Sequence, residues 1–344
     1  MANSLGFQLP WTSSPLVVSA PMGGFAGGHL ASAVTKSGGL GMIGAIMSDD
    51  LEKELGIAAD ELKATAEASH TLPIGVGLLP FIVKAESVLP ILKRYQPAVV
   101  WLFAAKELDD YATWSAGIRE SCPNSRVWIQ VGSVSAAVEI AQTAKPDALV
   151  MQGADAGGHG FERGASIVSV LPEVADALQA KGLGNIPLLA SGGIADARGA
   201  AAALALGASG VVIGTRFLAA KETKVPPGYR ELVLAAKDGA QSTIRSKLFD
   251  SVAGPNIWPA AYDGRSLVTE SYADHVRGID IKEIREKHNE AVTQEDGGFG
   301  KSNRANVWAG TGVGLVNKMQ NAADIVEEVR NGISKILEGT IARL

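Results

Sequence analysis

The segment Gln152-Gly153-Ala154-Asp155-Ala156-Gly157-Gly158-His159-Gly160 carries more chemistry than any other stretch of the chain. A single imidazole stands among small residues, which is expected to leave it accessible for proton transfer rather than packed in a core. Free imidazole titrates at about pH 6.5, so it can take a proton near neutrality. The Gln152 amide both donates and accepts, as the edge of a flat heteroaromatic ring requires.

Two further glycine turns can hold a phosphate. Ser191-Gly192-Gly193-Ile194 ends one apolar run and Gly214-Thr215-Arg216-Phe217 ends the next. Backbone N–H groups reach an anion only where no side chain intervenes, hence glycine, and Thr215 adds a hydroxyl donor. Either turn alone would pass as a βα connection, but the pair at successive runs favours a phosphate site. Ser19-Ala20-Pro21-Met22-Gly23-Gly24 adds a rigid backbone ledge on which a flat ring could lie.

Other motifs carry less. Gly39-Leu40-Gly41-Met42-Ile43-Gly44 fits GxGxxG, but it leaves a helix and enters a strand, the reverse of what a dinucleotide site needs, and reads as a tight turn at the barrel base. Gly300-Lys301-Ser302 lacks the preceding strand and glycine of a P-loop and reads as a solvated loop. His29 is expected to cap a helix, His70 to complement a helix dipole, and His275 and His288 to lie on a solvated face. Cys122 falls at a helix end away from the rim, and no residue set has metal-ligand spacing, so no metal is expected.

The elements that must position these groups alternate from residue 16 to about 215. Short β-branched runs run from Leu16 to Pro21, Leu40 to Ala45, Pro73 to Leu78, Ala98 to Phe103, Val127 to Val131, Ala148 to Gln152, Pro187 to Ser191 and Gly210 to Thr215. Ala-rich amphipathic stretches separate them, at His29 to Ser37, Asp50 to Ser69, Ala85 to Tyr95, Asp109 to Ser121, Ser135 to Ala144, Ile167 to Ala180 and Asp196 to Leu206. This is the rhythm of an α/β chain closing into a (β/α)8 TIM barrel. The rhythm stops after Phe217. Residues 218–318 read as a cap or lid over the mouth, with a helix from Ala322 to Leu337 returning to the barrel wall, so residues 1–217 and 319–344 form the barrel. Trp258, Tyr262 and Trp308 either roof the mouth or form the cap's own core.

The 344 residues are 47% hydrophobic and 19% charged, which excludes disorder for the bulk of the chain. A net charge of -5 offers no basic surplus for nucleic acid or an anionic membrane. One cysteine, no leader pattern and no long apolar run point to a cytoplasmic location.

These motifs, in this order and spacing over residues 16–218, resemble the flavin-dependent nitronate monooxygenases, formerly 2-nitropropane dioxygenases, and the related flavin-dependent enoyl-acyl carrier protein reductases. Val225 to Leu267 looks like the fungal-type members. The resemblance implies non-covalent FMN at the barrel mouth. Ala20, Pro21, Met22 and Gly23 would line the flavin ring, and Gln152, Gly157 and Gly158 would touch it. Ser191, Gly192 and Gly193 with Val212, Gly214 and Thr215 would take the phosphate end, and His159 would be the catalytic histidine. Many bacterial members have asparagine where this chain has Gly77.

The implied reaction is oxidation of alkyl nitronates, or of nitroalkanes after His159 removes the α-proton, with O2 to carbonyl compounds and nitrite. An NAD(P)H-dependent FMN reductase acting on a quinone or enoyl thioester would use the same barrel, and a flavin-free barrel binding a phosphorylated metabolite would leave His159 unexplained. The sequence leaves open whether two chains pair as a homodimer.

Overall fold

The computed structural model describes residue 5, residues 8–66 and residues 70–343. Part of the amino-terminal stretch read for a leader and residues 67–69, the expected end of the second helix, lie outside them. Eight parallel strands form the barrel: β1 (Leu16–Ser19), β2 (Met42–Gly44), β3 (Leu72–Leu78), β4 (Pro97–Leu102), β5 (Arg126–Val131), β6 (Ala148–Gln152), β8 (Leu188–Ser191) and β9 (Gly210–Ile213). The spatial order is β1-β9-β8-β6-β5-β4-β3-β2. Closure between β1 and β2 rests on a parallel bridge, Val18 to Leu40, and on the Ser19 hydroxyl, which accepts from the Met42 N–H at 3.1 Å.

Strand alternation sorts the apolar residues into two layers. Val18, Met42, Val99, Trp101, Trp128 and Val150 fill the barrel interior, while Val17, Ile43, Val100, Ile129 and Met151 face the helices. Trp101 and Trp128 are fully buried plugs of the interior, their rings 6.3 Å apart. Gly75 faces the same interior, where an added Cβ would overlap the Met42 sulfur. Six of the seven expected helices between the strands are present within a residue or two of their ends, and Ile167–Ala180 and Ala85–Tyr95 match at both, whereas the expected Asp50 to Ser69 is divided into Ser48–Glu61 and Lys63–Ala66. Gly39 to Gly44 is the tight helix-to-strand turn expected, with Gly41 pressed on the Ala31 carbonyl.

The chain from Thr215 onward holds two features that the sequence did not display. Thr215 to Ala219 is a 3-10 helix rather than the end of a strand. A second, antiparallel sheet pairs β10 (Thr243–Ser246) with β11 (Tyr262–Leu267), and β11 with β7 (Gly158–Phe161), which comes from the long connection after β6. The Gly-rich segment around His159 is therefore partly strand, and the irregular-looking Ser251 to Leu267 ends in one. Short strands rich in glycine carry no period-2 signal, so pairing between distant segments decides them.

The closing helix, Ala322–Ile341, packs on helices Gly28–Lys36 and Ala197–Ala205. Gly332 permits the close approach, since a Cβ there would meet Ala197 Cβ at 2.5 Å. Arg216, nearly buried, ties the 3-10 helix to this region through the Lys318 carbonyl at 3.2 Å and through Gln320 and Glu328. No helix among the described residues is long and apolar enough to cross a membrane.

Glu54 joins three elements. Gly27 has no side chain to cap helix Gly28–Lys36, and Glu54 from the neighbouring helix Ser48–Glu61 accepts from the Gly28 N–H at 2.8 Å and pairs with Lys224. Burial alone would raise this carboxyl, but Lys224 and the Gly28 N–H outweigh it, and the group titrates below its ordinary value. A depressed carboxyl contributes stability that is fully present above its unfolded value of 4.5 and is lost as pH falls through the lower folded value. Glu54→Gln is expected to cost about 1–2 kcal/mol at pH 7. The deficit should shrink as the pH drops below the unfolded value, as read by urea unfolding across the range, and a pH-independent deficit would contradict this account.

Candidate active site

A cavity of about 490 Å³ opens at the C-terminal ends of the barrel strands, the face where such barrels carry their chemistry. Ala20, Pro21, Met22 and Gly23 line it after β1, and Gln152, Gly157, Gly158 and His159 after β6. Ser191, Gly192 and Gly193 line it after β8, and Val212, Gly214 and Thr215 at the end of β9. The motifs scattered through the sequence thus meet on one surface.

The β8 and β9 turns have the conformation that backbone recognition needs. Gly192 and Gly193 lie in the left-handed region at φ 106° and 72°, and Asp196 caps the next helix by accepting from the Arg198 N–H at 2.8 Å. Thr215 Oγ1 accepts from the Gly310 N–H at 3.0 Å and keeps its own proton to donate. A Cβ on Gly158 would meet nothing within 4 Å, and one on Gly214 would meet only Ala20 Cβ at 3.6 Å. Both glycines leave space for a bound group.

His159 is not the open imidazole expected from its small neighbours. Its side chain is 15% exposed. It sits on β7 opposite Gly264 of β11, and because Gly264 has no Cβ the Trp308 ring can lie over it. The imidazole stacks on Trp258 at 3.6 Å and 7° and meets Trp308 at 4.7 Å and 50°. Its Nε2–H donates to Asp250 Oδ1 at 2.6 Å, and Gln152 Nε2 donates to the His159 carbonyl at 3.0 Å. Local sequence could not reveal this packing, because the indoles and the carboxylate come from residues 250–308.

Cap residues complete the wall. Asp250 projects from the one-turn helix Leu248–Ser251, whose Phe249 carbonyl accepts from Asn306 Nδ2 at 2.7 Å. Of the three aromatics that could roof the mouth or form a core, Trp258 and Trp308 line the cavity, whereas Tyr262 is 2% exposed and packs against Phe103 and Phe161. Tyr229 also lines the cavity, yet its hydroxyl donates to the Trp308 carbonyl at 3.0 Å and burial pushes its phenol far above the ordinary range. It serves as a brace, not an acid.

Gln130, Asp250, Asn306, Gly310 and Gly312 line the site without having been singled out. Gln130 had a signal: in Trp128-Ile129-Gln130 the inward register of β5 ends on a polar side chain at the mouth. Gly310 and Gly312 belong to a loop lying directly on the barrel rim. A Cβ on Gly310 would meet the Asp155 carbonyl at 2.6 Å, one on Gly312 the Gly193 carbonyl at 2.9 Å, and one on Gly157 would overlap Gly310 N.

The other histidines stand apart from the cavity. His29 does not cap its helix but bonds Glu61 at 2.6 Å across to the next one. His288 is buried rather than solvated, facing the Arg304 carbonyl at 3.0 Å, and burial lowers its pKa. His275 and His70 are exposed. Cys122 is buried at the end of helix Asp110–Ser121, and no group of potential metal ligands occurs among the described residues.

Residues 116–332 match the family model described as nitronate monooxygenase. A nitronate monooxygenase, npaC, from Metarhizium robertsii is 42% identical over 99% of this chain and 97% of its own length. A nitronate monooxygenase from Neurospora crassa is 37% identical over 95% of this chain and 91% of its own. Among solved structures, FabK from Thermotoga maritima superposes with a TM-score of 0.77 at 24% identity, each chain covered in full, which supports the fold.

The glycine at position 77 has a steric reason. A Cβ there would overlap Pro21 Cβ, so the rim proline occupies the volume that a side chain would need. Gly77→Asn is expected to displace Pro21 and cost about 1–3 kcal/mol as overpacking. Thermal unfolding reads the loss, and a variant as stable as the parent would mean that Pro21 yields freely.

Proposed function

The chain belongs to the nitronate monooxygenase family, and on that premise we propose that it oxidises alkyl nitronates, and nitroalkanes after deprotonation, with FMN as cofactor and O2 as co-substrate. The observation that carries this reading is an imidazole held by a carboxylate inside a largely apolar cavity, beside glycine turns open to a phosphate.

The cavity fits the cofactor. Its volume lies in the range of cofactor sites, and the Gly158 and Gly214 positions leave open the space that a side chain would fill. Ala20, Pro21, Met22 and Gly23 would support the ring, with Gln152, Gly157 and Gly158 at its edge. Ser191, Gly192, Gly193, Val212, Gly214 and Thr215 would hold the phosphate. No lysine or arginine is among the lining residues, so backbone N–H groups and the Thr215 hydroxyl supply the recognition.

When bound, FMN supplies the redox step, accepting electrons and passing them to oxygen. The protein's task is proton transfer and exclusion of water. His159 takes the α-proton of a neutral nitroalkane, and Asp250 lies against the cation so formed. Trp258, Trp308, Phe249 and Leu218 keep the site apolar. The products follow from atom balance: two nitronates and one O2 give two carbonyl compounds and two nitrite ions. The cap residues 218–318 would act as the lid that encloses this chemistry.

The test is a visible spectrum followed by anaerobic addition of propyl nitronate or NADPH to separate samples. Bleaching by nitronate and not by NADPH supports the oxidase reading, whereas the opposite pattern replaces it with an NAD(P)H-dependent reductase. A protein that takes up no FMN removes both. His159→Asn is expected to keep its flavin and lose about 10²–10⁴-fold in turnover of neutral nitroalkane. Undiminished turnover would remove His159 from the mechanism.

A further inference from the structure

We propose that Asp250 is the positioning residue that makes His159 a base, a role resting on the proposed use of His159 as proton acceptor. Its side chain is 6% exposed, and Oδ1 lies 2.6 Å from His159 Nε2. Oδ2 is buried with no hydrogen-bond partner, and no lysine or arginine pairs with this carboxylate among the described residues. The imidazole is therefore the group that Asp250 is built to meet.

Two consequences follow for the ring. A carboxylate only accepts, so Nε2 carries the proton and the lone pair is left on Nδ1, which has no hydrogen-bond partner among the described residues. With Trp258 and Trp308 against the ring, Nδ1 is the nitrogen left to receive a substrate proton. Once the proton arrives, it becomes the second N–H of an imidazolium whose charge is opposed by Asp250 across one hydrogen bond. Without the carboxylate that cation would stand in an apolar site with no counter-ion, and its formation would be disfavoured.

Neighbouring charges do not substitute for Asp250. Tyr229 is the other titratable group on the cavity wall, and it is committed to the Trp308 carbonyl. Lys247, next to the one-turn helix, bonds Glu162 and the Ala260 carbonyl at 2.9 Å, and Arg285 bonds the Ser251 and Gly254 carbonyls. The base is thus assembled from two parts of the chain: its imidazole follows β6, and its carboxylate belongs to the segment beyond β10.

The experiment compares the flavin-loaded parent with Asp250→Asn, a change of one atom type. The first readout is the ratio of kcat/KM on neutral nitroethane to kcat/KM on preformed ethyl nitronate, because the nitronate has already lost its proton. We expect the ratio to fall about 10–100-fold, as for other residues that orient a reacting imidazole. A second readout, independent of turnover, is the 15N NMR spectrum of the neutral His159 ring, which should place the proton on Nε2 in the parent and lose that preference in Asp250→Asn. A parent-like ratio and a parent-like tautomer in the variant would overturn the role of Asp250. A parent protein that oxidises neither compound would overturn the proposed activity instead, and the ring spectrum would still decide whether the pair exists.

Discussion

The antiparallel pairing of β7 with β11 is the contact on which the site depends. It fixes the backbone of His159 from one side, while Gln152 fixes it from the other through the carbonyl. It also requires glycine at position 264, and that missing Cβ lets the Trp308 indole lie over β11 and reach the imidazole. Remove the pairing and the imidazole, both indoles and the carboxylate lose their common frame. The barrel supplies a stable floor, but His159 is held by a small sheet whose strands come from residues 158–161 and 243–267.

A second constraint is backbone approach. Gly157, Gly310 and Gly312 lie at distances that no side chain allows, which seats the segment around Gly310 directly on the rim turns after β6 and β8. Thr311 reinforces this by donating its N–H to the Asp155 carbonyl at 3.0 Å. Three polar groups of the cavity wall hold the frame: Tyr229 braces the Trp308 carbonyl, Asn306 holds the helix carrying Asp250, and Thr215 bonds the Gly310 N–H.

Much of this was legible in the residues. The eight barrel strands, the seven helices between them and the rim turns at Pro21, Gly157, Gly193 and Thr215 follow from local periodicity and glycine placement. What escaped depends on pairing between distant segments. Nothing near His159 announces that its partner carboxylate lies at residue 250, or that β7 is a strand at all. His288 went astray for a related reason: its helix has one face against the Arg304 segment, and only that distant neighbour makes the position buried. Gln130 was readable from the register of β5, had the inward face been followed to the mouth.

The arrangement also dictates an order of events during synthesis. β1 leaves the ribosome before every other barrel strand, yet its partner β9 begins only at Gly210, so the cylinder stays open until all eight strands exist. β7 waits longer still, since Tyr262 to Leu267 must appear before its backbone groups are paired. Until then the nascent chain displays an unpaired glycine-rich edge beside hydrophobic strands, the kind of surface that invites pairing with other chains. That window runs from the synthesis of β7 to the synthesis of β11.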